Sequence, residues 1–366
     1  MTFTIDPYRF TPPSEGKRLF MWGGNGVGQL GDGTTTQRNA PVPIGADEWT
    51  HVTIGVFNTL ARKTDGTLWA TGYGDVGQLG NGGIADSTVF LQVNSDTDWS
   101  GEMSIGLAHM LALKTDGTLW AWGLGLDGAL GTGGTGNELD PVQIGSHTDW
   151  TGVDAGFQHS LGRRSNGTLW SWGFSGFGAL GQGTTTNLTV PTQVGVLTTW
   201  TSEFRAGEFA SAGVHTNGRA YLWGNAQAGA TIFWNTNVPV QVDATFDYVA
   251  ARPGSNYFHL LKNDGTVWAF GANWLGELGD GGTVHNELPL VQIGSDTNWT
   301  STQDAMYQTS VALRDDGTIW SWGRGATGAI GDGFTANRTS PVQIGVSTNW
   351  TFVMGAYDSA GGLRSA

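Results

Sequence analysis

A short aromatic strand ending in glycine recurs seven times along the 366 residues, at intervals close to 50. The glycines are Gly23, Gly72, Gly123, Gly173, Gly224, Gly271 and Gly323, spaced by 49, 51, 50, 51, 47 and 52 residues. Trp precedes five of them (Trp22, Trp122, Trp172, Trp223, Trp322), and Thr71 and Phe270 precede the other two. A fixed period of this length marks an array in which each unit is one supersecondary element that buries its faces against its neighbours. Chain length alone would suggest two or three domains. The repeat predicts instead one toroidal domain over 16–366, preceded by an extension over 1–15.

The stretch 150–200 shows the parts of one unit. It runs WTGVDAG, HSLGRRSNGTLWSWG, GALGQGTTT and PTQVG. Asn166-Gly167 reads as a two-residue hairpin turn with both central residues at positive φ, a slot filled elsewhere by Asp65-Gly66, Asp116-Gly117, Asn217-Gly218, Asp264-Gly265 and Asp316-Gly317. Leu-Trp-x-Trp-Gly comes next, with the period-two alternation of a strand. Trp69, Trp120, Trp170, Trp268 and Trp320 hold the first aromatic position, with Leu222 standing in for it once. These tryptophans, Trp120 and Trp170 included, are expected in the core. Strand, Asx-Gly turn, strand, glycine loop and a short Pro-Val-Gln-Ile strand predict about four antiparallel strands per unit. The fold class is therefore all-β, a seven-bladed β-propeller. The C-terminal SAGGLRSA matches His159–Asn166 and stops before the turn glycine, while Gly16–Gly23 supplies the missing strand. The ring is thus predicted to close by pairing of its N- and C-terminal segments.

These motifs resemble the regulator of chromosome condensation family of seven-bladed propellers. The resemblance covers 16–366 and rests on GQLGDG at Gly28–Gly33, its variants at Gly77–Gly82, Gly276–Gly281 and Gly328–Gly333, the PVQIG strands at Pro141–Gly145 and Pro341–Gly345, and the Asp-Gly-Thr hairpin. It implies a propeller used in any of several ways: nucleotide exchange factor, enzyme inhibitor, ubiquitin-ligase module, or virion or surface protein.

Composition narrows the partners. Acids outnumber bases 31 to 17, for a formal charge of -14. Binding to phosphate backbones needs Lys and Arg, and adsorption to an anionic bilayer needs the same, so neither nucleic acid nor membrane is an expected partner. No stretch of 18 apolar residues is present, so no membrane insertion is expected. The absence of cysteine excludes disulfides and thiolate metal sites. The first residues, MTFTIDPYRFTPP, lack a basic leader and an apolar segment, so no conventional secretory signal is expected.

Candidate chemistry is sparse. His109 and His159 share one slot, occupied in other units by Asn58, Ala210, Tyr257, Thr309 and Ser359, which favours a structural hydrogen bond between neighbouring strands over catalysis. Asp32, Asp280 and Asp332 in the GDGT-type loops invite a calcium reading. Each loop offers a single carboxylate, however, and a Ca²⁺ site needs six to eight oxygens. The sequence predicts no enzyme, no catalytic residue, no cofactor and no metal.

Departures from the repeat mark the candidate partner-binding residues. The unit carrying Gly224 replaces GQLGDG with GNAQAGATIFWNTN, a loop presenting Phe233 and Trp234, and the next unit places Trp274 before its Gly-Glu-Leu-Gly. Loop aromatics are typical interface anchors. Phe57, Phe157, Phe209 and Tyr307 lie just after the register glycine and suit either a rim stripe or packing between blades. The extension carries Phe3, Ile5, Tyr8 and Phe10, which would anchor it to its own ring or to another chain. Thr-, Gly- and Asn-rich loops, only four Lys, the acidic balance and this arm suggest a non-enzymatic virion component of a bacteriophage, located in the virion or extracellularly. Its partners would be other proteins of the assembly or a host surface receptor. The alternatives are a cytoplasmic protein-binding regulator, as small-GTPase partner or enzyme inhibitor, and a secreted bacterial surface-binding protein.

Overall fold

A computed structural model of the chain describes residues 16–228, 231–243, 247–304 and 308–365. They form seven separate sheets of four antiparallel strands. Blades 1 to 6 span 49–92, 99–143, 150–193, 200–241, 248–292 and 299–343. Blade 7 joins Trp350–Gly355 and Ser359–Arg364 to Arg18–Gly23 and Arg38–Pro43. The first strands of successive blades touch one another all the way round, so they line the axis, and the fourth strands lie at the rim. Closure agrees with the sequence reading: Arg18 pairs with Arg364, and the register runs without a break to Gly23 opposite Ser359. Residues 1–15, which hold Phe3, Ile5, Tyr8 and Phe10, lie outside the described residues.

The Asx-Gly turns differ from expectation. Only the glycine takes positive φ, as at Gly117 (+78°) and Gly167 (+78°), while the Asx before it does not. The Lys114 carbonyl accepts from the Gly117 amide at 3.0 Å, and the Lys114 amide donates to the Thr118 carbonyl at 3.0 Å. This is a three-residue loop, a type I turn and then a left-handed glycine, rather than a two-residue turn. The extra residue frees the carboxylate to organise the start of the next strand. Asp116 accepts from the Thr118 amide and hydroxyl at 3.0 and 2.7 Å, and Trp120 Nε1 donates to that hydroxyl at 2.9 Å. Asp65, Asn166, Asp264 and Asp316 build the same relay to Trp69, Trp170, Trp268 and Trp320.

That relay corrects the placing of the first aromatic position. Trp69, Trp120, Trp170, Trp268 and Trp320 are half-buried rather than core, with a cation over the outer face of each ring: Lys63 at 3.8 Å, Lys262 at 3.6 Å and Arg314 at 3.8 Å from the ring centres in three cases. In blade 4 the position belongs to Tyr221, which pairs with Gln241 as Trp170 pairs with Gln193, and not to Leu222. His215 stacks on Tyr221 in place of the cation. On the same strands the fully buried aromatics are instead those before the landmark glycines, Trp22, Trp122, Trp172, Trp223, Phe270 and Trp322.

These indoles explain why the repeat needs its glycine loop. Each loop crosses onto the next blade and offers it one carbonyl. Trp122 Nε1 donates to Gln78 O at 3.0 Å, Trp172 to Ala129 at 2.9 Å, Trp223 to Ala179 at 2.8 Å, Trp322 to Glu277 at 2.9 Å and Trp22 to Ala329 at 2.9 Å. Thr71 replaces the sixth indole, and its hydroxyl donates to Gly28 O at 2.9 Å while Thr59 donates to Gln29 O at 2.7 Å. At the seventh seam the slot holds Phe270, whose ring has no donor, and the preceding blade lacks the glycine loop of the others. What reads as a loop at 224–237 is a ribbon: Ala220–Ala228 pairs with Thr231–Gln241. Phe233 is 8% exposed and belongs to a core cluster with Phe258 and Phe270, so it does not face outward. Trp234 is half-buried with its ring 6.2 Å from Phe270. Two departures from the repeat are thus two halves of one apolar seam.

Candidate functional site

Antiparallel blades put the first-to-second and third-to-fourth strand loops at one end of the ring, and the Asx-Gly turns with the blade-to-blade crossings at the other. The axis between them holds a cavity of about 110 Å³, lined by residues that include His51, Glu102, Asp154, Phe204, Arg205 and Met354. Charged groups beside it tie blades together. Arg252 pairs with Glu203 at 2.8 Å, both buried, and its Nε donates to Thr302 O at 3.0 Å, linking blades 4, 5 and 6. Asp154 accepts from the Ser104 hydroxyl at 3.2 Å and the Ala206 amide at 2.7 Å, spanning blades 2, 3 and 4. Burial pushes its carboxyl above the usual range, opposed by Arg205. Burial also drives His51 down to about 4, helped by Arg62 and Lys17.

His109 and His159 join blades as well. Their Nε2 atoms meet Ser160 Oγ at 3.0 Å and Ser211 Oγ at 2.9 Å on the next blade. Ser160 passes its own proton to Ala129 O at 2.8 Å and Ser211 to Ala179 O at 2.8 Å, which leaves each histidine as the donor. Burial holds His109 at about 4, and burial with the neighbouring His109 holds His159 at about 3. Both are neutral structural groups with their donors spent. Asp32 is likewise engaged within its own loop, by the Thr34 amide and hydroxyl and by Arg38.

The loop end presents apolar side chains instead. Phe157, Phe209, Phe177 and Phe174 form a continuous edge-to-face run with ring centres 6.2, 4.8 and 6.0 Å apart, across blades 3 and 4. Phe57 lies 6.0 Å from Tyr73 on blade 1. Backbone bonds from Leu107 N to Phe157 O and from Phe157 N to Gly207 O, both 3.1 Å, tie the inner loops into one surface. Phe57, Leu126 and Phe177 are 39%, 46% and 41% exposed, while Phe157 and Phe209 are half-buried. Tyr307 lies outside the described residues. Trp274 is 44% exposed, its ring 4.9 Å from His285, which also lies 5.9 Å from Phe233. The structure therefore gathers Phe233 and Trp274 about His285 but exposes only the second. Sequence reasoning passed over Leu126, Phe174 and Phe177. Leu126 carried a signal, since its slot holds Gly26, Asp75 and Gly176 in other units. The slot of Phe174 holds Tyr73 and Leu124 elsewhere, and that of Phe177 holds Val27, Val76 and Leu275, so these two gave none.

Comparison with known proteins agrees with this architecture. Residues 18–62, 116–162 and 166–213 match the regulator of chromosome condensation (RCC1) repeat. The chain is 26% identical over 333 residues to the ultraviolet-B receptor UVR8 of Arabidopsis thaliana, covering 88% of this chain and 64% of that protein. It is 27% identical over 340 residues to the E3 ubiquitin-protein ligase HERC2 of Homo sapiens, covering 89% of this chain but 6% of the ligase. The chain thus spans less than two thirds of the length of either relative. Among solved structures, human WBSCR16 superposes with a TM-score of 0.85 at 20% identity, covering 96% of this chain and 99% of that one. Prp20p of Saccharomyces cerevisiae gives 0.83 at 18%, covering 96% and 92%. Among the described residues no helix is long and apolar enough to cross a membrane. Repeat, closure and superposition agree on a seven-bladed β-propeller, in which segments 18–62, 116–162 and 166–213 are regulator of chromosome condensation repeats.

Proposed function

We propose that this propeller is a non-catalytic platform that binds protein. One observation carries the reading: polar and titratable groups along the axis and seams are spent on joining blades, whereas large apolar side chains stand exposed at the loop end. An enzyme needs the reverse arrangement, with a nucleophile or base left available in a cleft. The family supports a binding role by analogy, since yeast RCC1 (Prp20) has been solved bound to Kap60 and the properties studied for Prp20p are its binding to Gsp1p and histones.

Within that reading we place the protein in a larger assembly, in the first instance a phage virion or its exterior, on the strength of its acidic, Lys-poor, Cys-free composition and its Thr-, Gly- and Asn-rich loops. A photo-crosslinking residue at Phe57 on the loop end and another at Val196 on the opposite end, read out by mass spectrometry, tests the binding role. One defined protein captured from either position supports it, and capture from neither removes it. Stoichiometric copies in purified particles would support the virion setting; absence from particles returns the protein to a cytoplasmic regulator.

A further inference from the structure

The sevenfold repeat treats all blades alike, yet the loop end does not. Phe57, Leu126, Phe157, Phe174, Phe177 and Phe209 all fall on blades 1 to 4. The corresponding inner loop of blade 5 carries Ser255 and Asn256, and that of blade 7 a half-buried Tyr357 beside Asp358, which pairs with Arg324 at 2.9 Å. Trp274 and Phe334 stand exposed on the outer loops of blades 5 and 6. The loops of blades 5 to 7 hold acids as well, Asp32, Asp280, Asp332 and Asp358 among them, but in the company of Arg324. The loop segments of blades 1 to 4 at 55–57, 73–86, 106–108, 124–137, 156–158, 174–187 and 207–209 contain Asp75, Asp86, Asp127 and Glu208 but no Lys or Arg. Asp75, beside Phe57 and Tyr73, and Asp86 on the same loop are both exposed. Asp127 is held by Asn187 at 2.9 Å on the loop that bears Phe177, and Glu208 adjoins Phe209 in sequence. The surface is apolar at its centre with an acidic rim and no cation of its own.

Resting on the protein-binding reading above, we infer that the loop end of blades 1 to 4 is a docking site for a basic segment of a partner protein that also carries large apolar side chains. Apolar anchors would seat among the phenylalanines, where water is most completely excluded and truncation costs most. Lys or Arg flanking them would meet Asp75, Asp86 and Asp127 at the rim, which speeds association and makes it sensitive to salt. Nucleic acid has the wrong sign for this rim. A second copy of this chain is a poor fit as well, since its own net charge is -14 and its loop end is equally acidic.

The test uses the full chain and three short fluorescein-labelled peptides read by anisotropy: one alternating Lys/Arg with Leu/Trp, one with Glu replacing every base, and one with Ser replacing every apolar residue. The first binds and weakens as salt rises; the other two bind at least about tenfold more weakly. Phe177→Ser and Leu126→Ser each weaken the first peptide by about tenfold or more, and Asp75→Asn with Asp127→Asn flattens the salt dependence. Phe334→Ser, at a 63% exposed position on blade 6, changes nothing and controls for loss of an exposed aromatic. Thermal melting confirms that each variant is folded. Equal binding of the acidic peptide, no binding of the basic one, indifference to Phe177→Ser, or a homodimer dissolved by Phe177→Ser overturns the proposal. Crosslinking of a partner from Val196 alone also overturns it, while leaving the protein-binding reading standing.

Discussion

Two histidines in the same slot of adjacent blades show what burial does to one residue type. An unfolded histidine titrates near 6.5, whereas His109 in the fold is pushed to about 4 and His159 to about 3. The unfolded chain therefore binds more protons below pH 6.5. Their contribution to stability is complete above that pH and drains as pH falls toward 4, at about 1.4 kcal/mol per pH unit for each histidine. His109→Asn, which borrows the residue that blade 1 uses at Asn58, should flatten the fall in melting temperature between pH 6.5 and 4.5; an unchanged slope would contradict the assignment. The two tryptophans of one strand offer a sharper contrast. Trp172→Phe removes a buried donor to Ala129 O and should cost about 1–3 kcal/mol. Trp170→Phe breaks only the half-buried bond to Thr168 and should cost less than about 1 kcal/mol in denaturant titration. At Gly123 the backbone has φ +91°, and an added Cβ would sit 2.4 Å from Ala108 O, so Gly123→Ala strains the strand end in a way that no side-chain movement relieves.

At the scale of elements, the glycine loop and the indole of the next blade are one device. The pairing explains why both depart from the pattern at the same seam, where ribbon 220–241 meets Phe270. That seam is packed from apolar side chains, Phe233, Phe258 and Phe270 among them. Phe270→Trp, which restores the repeat on paper, should therefore destabilise by about 1–3 kcal/mol through an unsatisfied donor and overpacking. A more stable Phe270→Trp protein in calorimetry would show that a carbonyl is within reach after all. Phe233→Ala should cost about 3–5 kcal/mol, the loss expected for a buried aromatic, whereas an outward-facing Phe233 would cost almost nothing.

For the molecule as a whole, closure decides stability. Strand Arg18–Gly23 covers Ser359–Arg364 on one side, and Trp22 reaches from it to Ala329 O on blade 6. Deleting residues 16–23 removes the strand and the latch together, leaving an unpaired edge next to a dehydrated core. The expected result is loss of the single cooperative melt and aggregation on warming. A truncated chain that melts like the parent would refute the closure.

The seven-fold period, the four-stranded unit, the shared last blade and the structural role of His109 and His159 are all legible in the residues. Each is a property of local spacing, and spacing survives without coordinates. Which face of a strand is wet is not such a property. Period-two alternation shows that a strand has two faces, but in a propeller neighbouring blades cover both, so exposure depends on position along the strand and distance from the axis. Trp120 and Trp122 are two residues apart on one strand, yet one is half-buried at its turn end and the other is wholly enclosed at the next loop. The same limit hid Phe177 and misplaced Phe233. A phenylalanine among glycines looks the same whether its neighbour in space is solvent or a ribbon packed on the next blade, and only the tertiary structure supplies that neighbour.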